Sequence, residues 1–360
     1  MTTASTAGTG PPAGPRPLRQ EQEPPSEEVA EVAPGVLRVQ LPVTMPGLGH
    51  VNAYVIPDAR GAAIVDPGLP GEEPWGALRR GLRRAGVRLA TVHTVVVTHS
   101  HPDHFGGAGR LSEESGATVV VHGSFRTWWD PSLSPPHEEV PDVDPQDLED
   151  GNPFELPSPW GGEDFAGSWR ARPESGEAGG WVPFRPGRRV ADGDRIDLAG
   201  RQWTCVHTPG HTIDHLCLHD PEEGVLLCGD HVLPTITPHV PGLGAGRDPL
   251  AAFTASLERV RSLRPVGLAL PAHGHPFEDL AGRAAAIESH HVERLARMDQ
   301  AVADLGSATV AEVSHRLFRP ERWGVMAESE TYAHLEHLRH AGRLARVDAA
   351  GPARYEVTGS

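Results

Sequence analysis

Cysteine is scarce in this chain, which has only three in 360 residues, at Cys205, Cys217 and Cys228. None of the intervals between them is the short C-x-x-C step of a zinc site, and three cysteines are too few for a disulfide framework. We therefore expect neither a disulfide-stabilised scaffold nor a cysteine-ligated metal.

Long apolar runs are also missing. No stretch approaches the roughly 20 consecutive apolar residues that a membrane-spanning helix needs. The opening MTTASTAGTGPPAGPRPLRQ is polar and rich in proline and glycine, without the apolar centre of a secretory signal. These features predict a cytoplasmic protein with no membrane attachment, whose residues 1–29 form a disordered leader.

Positive charge is in short supply. The 32 lysines and arginines are outnumbered by 48 aspartates and glutamates, so the net charge is −16 with histidine neutral. So acidic a chain repels the phosphate backbone of nucleic acids and anionic lipid surfaces. The composition therefore favours a small-molecule substrate, and bound divalent cations would offset part of the charge.

Strand and helix patterns fill residues 30–277, which we expect to form one α/β domain. Strand patterns are found at residues 35–39, 51–56, 62–65, 94–98, 117–121, 195–198, 203–206, 216–218, 225–228 and 267–270. Helical patterns are found at residues 72–85, 108–115 and 249–263. Together they predict sheets covered by helices.

The segment 128–187 interrupts this domain with many prolines. It also holds five of the eight tryptophans of the chain: Trp128, Trp129, Trp160, Trp169 and Trp181. A loop of this length inside a domain is usually functional or disordered, and tryptophans argue against disorder. Two interpretations stay open, namely a loop that wraps the body on tryptophan anchors and a cap over the substrate.

Residues 278–360 have a different pattern. A long helix is predicted from about Glu278 to Leu305, followed by helices at residues 310–317 and 329–341 and by a hairpin with a Gly-Pro turn in GRLARVDAAGPARYEV. Helices followed by a hairpin are typical of a winged helix. We therefore expect a small winged-helix-like domain that the long helix joins to the main domain.

The stretch THSHPDH, residues 98–104, crowds three histidines and an aspartate together just after an apolar strand. Four more candidate residues follow strands elsewhere: Asp66 in IVDPG, His211 in HTPGHT, Asp230 in LLCGDH and His273 in LPAHGH. Strand ends in an α/β sheet gather at one edge, where binding sites are built. Imidazole and carboxylate donors without thiolate suit a divalent cation such as zinc.

The spacing divides these candidates between two ions. The first would be held by His99, His101 and His211. His99 and His101 are two residues apart, so both can point the same way as the strand ends. The second would be held by residues beyond the turn at Pro102 and by a later histidine: Asp103, His104 and His273. Asp230 has two carboxylate oxygens and can bridge the pair. Gly106 and Gly107 are expected to let the chain bend tightly into the next helix.

Other histidines compete for these roles. His275 is two residues after His273 and is a rival ligand for the second ion. His215 and His231 are close to ligands in sequence and would either face the substrate or make local hydrogen bonds. His50 and His122 would either line the cleft or be ordinary buried residues.

With these residues in this order, the sequence resembles the metallo-β-lactamase fold superfamily over residues 30–275. The match is to the HxHxDH motif at residues 99–104, with the later His211, Asp230 and His273 in the expected order. The resemblance implies an αββα four-layer sandwich, with the ligand sets named above at one edge and Asp230 as the bridge. It also implies that Asp66 orients a ligand histidine, a common role beside metal ions.

Finer similarities lie in GHVNAYVI, GHTIDHLCL, GDHVLPTITP and the C-terminal pattern. They resemble the glyoxalase II-like branch of β-lactamase-like hydrolases, a group that includes thioesterases and a member with endoribonuclease activity. The branch implies two Zn²⁺ per chain, although histidine–carboxylate sites also take iron or manganese.

We therefore expect a dinuclear zinc hydrolase of a small-molecule thioester or related ester. Two such ions generate a hydroxide at neutral pH, which attacks the carbonyl. Asp103 is the expected catalytic residue because it can orient that hydroxide. The alternative is a metal-dependent endoribonuclease or phosphodiesterase whose winged helix holds nucleic acid on its one basic cluster: Arg339, Arg343 and Arg346. The appended domain would otherwise form a homodimer, and a redox role with iron is a further alternative.

Overall fold

The computed structural model describes residues 18–126, 158–161, 181–347 and 352–359. Within these residues, seven strands form a first sheet in chain order: β1 Ala30–Ala33, β2 Val36–Pro42, β3 His50–Asp58, β4 Gly61–Val65, β5 Val92–Val96, β6 Thr118–His122 and β7 Arg188–Val190. Strands β1 to β4 pair antiparallel, and β4 to β7 pair parallel. The parallel strands send their carboxyl ends to one edge of the sheet.

A second sheet follows in the chain. Its described strands are β8 Arg195–Leu198, β9 Arg201–His207, β10 Leu216–Asp220, β11 Val225–Gly229 and β12 Leu268–Pro271, in the spatial order β12-β11-β10-β9-β8. Neighbours are antiparallel except for β11 and β12, which are parallel. The loops after β9, β11 and β12 reach the same edge as those after β4 and β5.

Side chains that alternate along the strands divide between an inner and an outer core. In β4, Ala63 and Val65 face the second sheet, whereas Ala62 and Ile64 face the helices. Successive side chains of a strand point to opposite faces, so a strand buried on both faces is a continuous apolar run. The inner core joins the two sheets and contains the fully buried Trp203.

Helices cover the outer face of each sheet and complete a four-layer αββα sandwich, as the resemblance implies. The described helices of this part are α1 Glu72–Arg84, the single turn α2 Pro102–Phe105, α3 Ala108–Ser115, α4 Pro249–Ser262 and the first half of α5 Leu280–Leu305. The apolar face of α1 packs on the first sheet through residues three and four positions apart: Trp75, Leu78 and Leu82. No helix of the described ranges is long and apolar enough to cross a membrane.

The three cysteines are core residues. Cys205 lies between the sheets, and Cys217 and Cys228 lie on the opposite face of the second sheet, under its helices. Each thiol is free and buried, and burial raises the pKa of Cys205 and of Cys217 to about 12. They therefore serve packing, in agreement with their irregular spacing.

The second half of α5 leads to a small module with its own apolar core. Its described elements are β13 Ser307–Thr309, α6 Val310–Leu317, α7 Val325–His340, β14 Leu344–Val347 and β15 Arg354–Val357, with the strands in the order β13-β15-β14. The predicted helices and hairpin strands are present. The Gly-Pro turn falls partly outside the described residues, and the winged-helix assignment stays a prediction.

Two segments differ from expectation or are described only in part. Residues 18–29 are placed against the sandwich, so the predicted disordered leader, residues 1–29, extends too far along the chain. In the predicted insertion, Trp160 packs on Tyr332 with ring centroids 5.0 Å apart, and Trp181 packs on Phe105 at 5.1 Å. Trp160 thus contacts the C-terminal module, and Trp181 contacts the sandwich. The other three lie outside the described residues: Trp128, Trp129 and Trp169.

Candidate metal centre

Three imidazole nitrogens converge beyond the end of β5. His99 Nε2 lies 3.0 Å from His101 Nδ1, and His211 Nε2 lies 2.9 Å from the same nitrogen. The first two histidines follow a strand of the first sheet and His211 follows β9 of the second, so both sheets contribute. His99 is fully buried. The structure thus brings together the histidines that were predicted to share one ion.

Asp103, His104 and His273 form a second group beside the first. Asp103 and His104 lie in α2, which begins at Pro102, directly after His101. Proline is favoured at the first position of a helix because its missing N–H needs no partner there. His273 follows β12, and its Nε2 lies 3.4 Å from Asp103 Oδ2. The turn at Pro102 therefore divides the HxHxDH motif between the two groups.

The carboxylate of Asp230 lies between the groups. Its Oδ2 is 3.5 Å from His211 Nε2 and 3.6 Å from His104 Nε2, while its Oδ1 is 3.3 Å from His273 Nε2. Asp230 directly follows β11, and its backbone N–H donates to His215 Nε2 at 3.0 Å. One carboxylate thus faces both groups, in the position that a bridge requires.

Hydrogen bonds fix which nitrogen of each ring faces the centre. His211 Nδ1 donates to the carbonyl of His239 at 2.7 Å, and His273 Nδ1 donates to the carbonyl of His50 at 2.6 Å. Each ring therefore keeps the lone pair of its Nε2 for the centre. Backbone carbonyls and carboxylates behind ligand histidines are the usual arrangement around protein-bound metals.

Asp66 supports the centre from behind, where the sequence predicts an orienting aspartate. Its Oδ2 accepts from His104 Nδ1 at 2.8 Å and from Thr98 Oγ1 at 2.7 Å, and its Oδ1 accepts from the Thr98 N–H at 2.8 Å. Thr98 Oγ1 lies 3.0 Å from His99 Nδ1, so this ring donates to the hydroxyl. The carboxylate therefore orients one histidine directly and a second one through Thr98.

The two groups differ in protonation. Burial lowers the pKa of His101 to about 3 and, with the neighbouring rings, holds the pKa of His99 well below its usual range. Burial also disfavours the charged form of His273, but the carboxylates of Asp230 and Asp103 outweigh it and raise the pKa to about 10. The first group thus presents neutral imidazoles, whereas a cation at the second group must displace a proton.

The donor set fits a pair of divalent cations. Three buried atoms at the centre make no hydrogen bond of acceptable geometry among the described residues, although two of them lie 3.3 Å apart: His104 Nε2, His273 Nε2 and Asp230 Oδ1. A buried polar atom without a partner costs on the order of 1–3 kcal/mol unless a ligand meets it. Imidazole nitrogen and carboxylate oxygen, without sulfur, are ligands that zinc, iron and manganese accept.

His275, the rival of His273, turns away from the centre. Its Nε2 lies 2.9 Å from the carboxylate of Glu23. His50 is fully buried and does not line a cleft: its Nδ1 donates to the Glu23 carbonyl at 2.7 Å, and its Nε2 accepts from the Gly274 N–H at 3.2 Å. His50 therefore holds the loop that carries His273.

The remaining rival histidines have local contacts. His215 is fully buried and accepts from the backbone of Asp230, so it fixes the Asp230 loop rather than facing a substrate. His231 is fully buried and packs edge-on against an aromatic ring of α4, with centroids 5.0 Å apart. His122 is buried and stacks on His207 at 3.9 Å. His215 and His122 thus have the structural one of the two roles left open by the sequence, and His231 is held by ring packing.

The segment before β1, which the sequence presents as a polar leader, joins three loops of the centre. Glu21 is fully buried, and its carboxylate accepts from the N–H groups of Thr235 and Ile236 at 2.7 and 3.1 Å. Its carbonyl accepts from the Gly49 N–H at 2.8 Å. The Gln20 side chain accepts from the loop after β12 at 3.1 Å. The segment therefore connects the loops before β3, after β11 and after β12.

Gly106 and Gly107 are required for space rather than for the predicted bend. Their φ angles, −56° and −83°, are ordinary for any residue. A Cβ on Gly106 would lie 2.3 Å from Pro70 Cδ, and one on Gly107 would lie 2.5 Å from the Pro67 carbonyl oxygen. The two glycines therefore let α2 approach the loop that carries Asp66.

Known proteins share this architecture. A solved metallo-beta-lactamase family protein, TTHA1429 from Thermus thermophilus, has a TM-score of 0.70 and 30% identity, covering 91% of this chain and 100% of that chain. The acyl-coenzyme A thioesterase MBLAC2 of Gallus gallus is 31% identical over 144 residues, 38% of this chain and 40% of that protein. The atrochrysone carboxyl ACP thioesterase of Aspergillus fumigatus is 30% identical over 125 residues, 34% of this chain and 27% of that protein.

The chain thus spans less than half the length of these two thioesterases. The family match is broader: the model of the metallo-beta-lactamase superfamily matches residues 46–275, which include both groups of donors and Asp66. This chain therefore belongs to the metallo-beta-lactamase superfamily and is a metallo-hydrolase of that fold.

Proposed function

We propose that this protein hydrolyses a small-molecule thioester at a centre of two zinc ions. The observation that carries the proposal is the convergence of seven buried or half-buried donors, with the Asp230 carboxylate facing both groups. Two relatives that match part of the chain are named as thioesterases, which favours this ester class.

Under this proposal each ion takes three donors from one group. The first ion would be held by His99, His101 and His211. The second would be held by Asp103, His104 and His273, with Asp230 as the bridge. When bound, two divalent cations lower the pKa of a shared water and polarise the carbonyl of the substrate. The chain contributes the placement of the donors and the exclusion of bulk water.

Asp103 is the proposed catalytic residue. Burial alone would raise the pKa of its carboxyl, but the neighbouring His104 and His273 outweigh burial and lower that pKa to about 2. The carboxylate is therefore ionised at neutral pH. In this state it can accept a hydrogen bond from the attacking water and direct the lone pair of that water towards the carbonyl carbon.

A thioester suits this centre because its leaving group needs little assistance. A thiol has a pKa of about 8.5, so a thiolate departs without prior protonation far more readily than an alkoxide or an amine. No side chain of the centre has to be reserved as a proton donor. Esters with activated leaving groups would share this property, and amides would not.

A substrate panel tests the proposal. The protein is stripped of metal, reconstituted with zinc, iron(II) or manganese, and assayed against acyl-coenzyme A, acyl-pantetheine, lactones and bis-p-nitrophenyl phosphate. We expect two bound ions per chain and metal-dependent release of free thiol. Thioester cleavage that survives complete removal of metal would contradict the proposal, as would cleavage of the phosphodiester alone.

Nucleic-acid cleavage is the alternative for the same centre, and the contacts of its expected basic cluster disfavour it. Arg339 donates to Glu336 at 2.9 and 2.7 Å, and Arg343 is paired with Asp299. Two of the three arginines thus already have carboxylate partners in the same chain. A salt-dependent gel shift with RNA or DNA would favour the alternative.

A further inference from the structure

The carbonyl that orients His211 belongs to the loop between β11 and α4, and this loop also contacts the C-terminal module. The carbonyl of His239 accepts from His211 Nδ1 at 2.7 Å. The ring of the same residue points to α7, where its Nδ1 lies 3.8 Å from Glu330 Oε2. His239 therefore contacts the metal centre with its backbone and the module with its side chain.

Glu330 is fixed by residues of two helices. Arg294 of α5 forms an ion pair with its carboxylate, and its carbonyl accepts from His334 Nδ1 at 2.7 Å. His334 Nε2 lies 3.0 Å from His291 Nδ1, back on α5. Burial would raise the pKa of Glu330, but the neighbouring His239 ring and the charge of Arg294 outweigh it and lower the pKa to about 2. The fixed, negatively charged carboxylate of Glu330 thus faces the loop between β11 and α4.

A second contact fixes the same loop on α7. The Gly242 N–H donates to Ser329 Oγ at 3.0 Å. A Cβ on Gly242 would lie 2.7 Å from the Ser329 carbonyl oxygen and 2.7 Å from Tyr332 Cδ1, so the backbone packs on the helix with no room for a side chain. The position of the His239 carbonyl is therefore determined by α7 at two points.

We propose that Glu330 is a positioning residue of the metal centre: acting through His239, it makes the orientation of His211, and so the affinity for the first ion, depend on the C-terminal module. The inference rests on the metal centre of the proposed function. It gives the module a role within its own chain.

The size of the expected effect follows from the contact that would be lost. Partners that hold a ligand histidine from behind typically change metal affinity by about 10–100-fold. Without the Glu330 carboxylate, the ring of His239 loses its partner on α7 and the loop can rotate its carbonyl away from His211. The second group is held from behind by other residues, Asp66 for His104 and the His50 carbonyl for His273, so mainly the first ion should be affected.

Zinc affinity, measured by competition with a chelating dye, and the absorption spectrum of the cobalt(II)-loaded protein test this role without an activity assay. The variants are Glu330→Gln and the matched control Glu336→Gln. Glu336 is also a buried carboxylate of α7, but it accepts from the Tyr355 hydroxyl at 2.5 Å inside the module. We expect Glu330→Gln to weaken one of two zinc equivalents by about 10–100-fold and to alter the cobalt spectrum. Glu336→Gln should lower the melting temperature and leave both affinities unchanged.

His239→Ala provides the second route, because it removes the ring and keeps the backbone carbonyl. It should reproduce the defect of Glu330→Gln, and the double variant should add little to either single change. If Glu330→Gln does not fold, the zinc affinity of His239→Ala tests the inference. Wild-type zinc affinity in His239→Ala would overturn the inference, and so would an equal loss of affinity in Glu336→Gln. A wild-type protein that binds no zinc would instead overturn the proposed function, and with it this role.

Discussion

The Asp66 carboxylate and the His104 ring are joined by a 2.8 Å hydrogen bond, and both side chains are buried. The same carboxylate accepts two hydrogen bonds from Thr98, so it holds the ring and the Thr98 backbone together. Asp66 has a φ of 55°, a left-handed conformation that few residues other than glycine, asparagine and aspartate adopt. A carboxylate and this conformation are therefore both required at the start of the loop.

Asp66→Asn separates the two requirements. Asparagine tolerates the left-handed conformation, but its amide nitrogen cannot accept the hydrogen bond from His104 or from Thr98. We expect the affinity for the second zinc ion to fall by about 10–100-fold. Titration with a chelator-buffered zinc series measures this, with Asp58→Asn at the β3–β4 turn as a control. Undiminished affinity in Asp66→Asn would remove the orienting role.

Asp103→Asn tests the proposed catalytic carboxylate. The amide keeps the shape of the side chain and loses the charge that would align the attacking water. We expect thioester turnover to fall by about 10²–10⁴-fold. Zinc content measured on the same samples shows whether the loss reflects lost metal or lost alignment. Full activity of this variant on every ester, thioester and phosphodiester tested would rule out the mechanism.

Truncation tests the segment that carries Glu21. Removal of residues 1–17 keeps Glu21 and Glu23 in the chain and provides the reference protein. Removal of residues 1–23 deletes the Glu21 carboxylate and the Glu23 carbonyl, which hold the Thr235 loop and His50. The longer truncation should weaken zinc binding and lower the melting temperature. Equal behaviour of the two truncated proteins would show that the segment is dispensable.

The parts of the fold and the centre that local sequence encodes could be predicted. Helix α3 and strand β8 have the predicted bounds, because apolar periodicity and flanking turn residues define them. The donors after β4, β5, β9, β11 and β12 could be placed together because strand ends share an edge. Strands β7 and β13 have only three residues each, too few to show a period.

Contacts between distant segments could not be predicted. The burial of Glu21 depends on the N–H group of Thr235, 214 residues further along the chain, and nothing in the polar sequence around it indicates such a partner. His334 has the spacing of a solvated helix face with His337 and His340, but α5 packs on it and it is fully buried. Tertiary packing, rather than helical periodicity, decides such positions.

The buried pair of His334 and His291 should make stability depend on pH on the acid side. Burial lowers the pKa of His291 to about 3 and that of His334 to about 4. In the unfolded chain histidine titrates near about 6.5, so between these values the unfolded state binds more protons than the folded state. This contribution to the free energy of unfolding is complete above about pH 6.5 and is lost as the pH falls towards 4.

At about pH 5 the loss should be on the order of 1–2 kcal/mol for each histidine. Melting temperatures of the metal-free protein between about pH 7.5 and 5 measure it. His291→Gln cannot take up the proton and should reduce the slope of melting temperature against pH. His340→Gln, at the exposed end of α7, should keep the wild-type slope. The neutral glutamine removes the proton-binding ring that lies 3.0 Å from His334. A wild-type slope of melting temperature against pH in His291→Gln would therefore show that this pair does not determine the acid sensitivity.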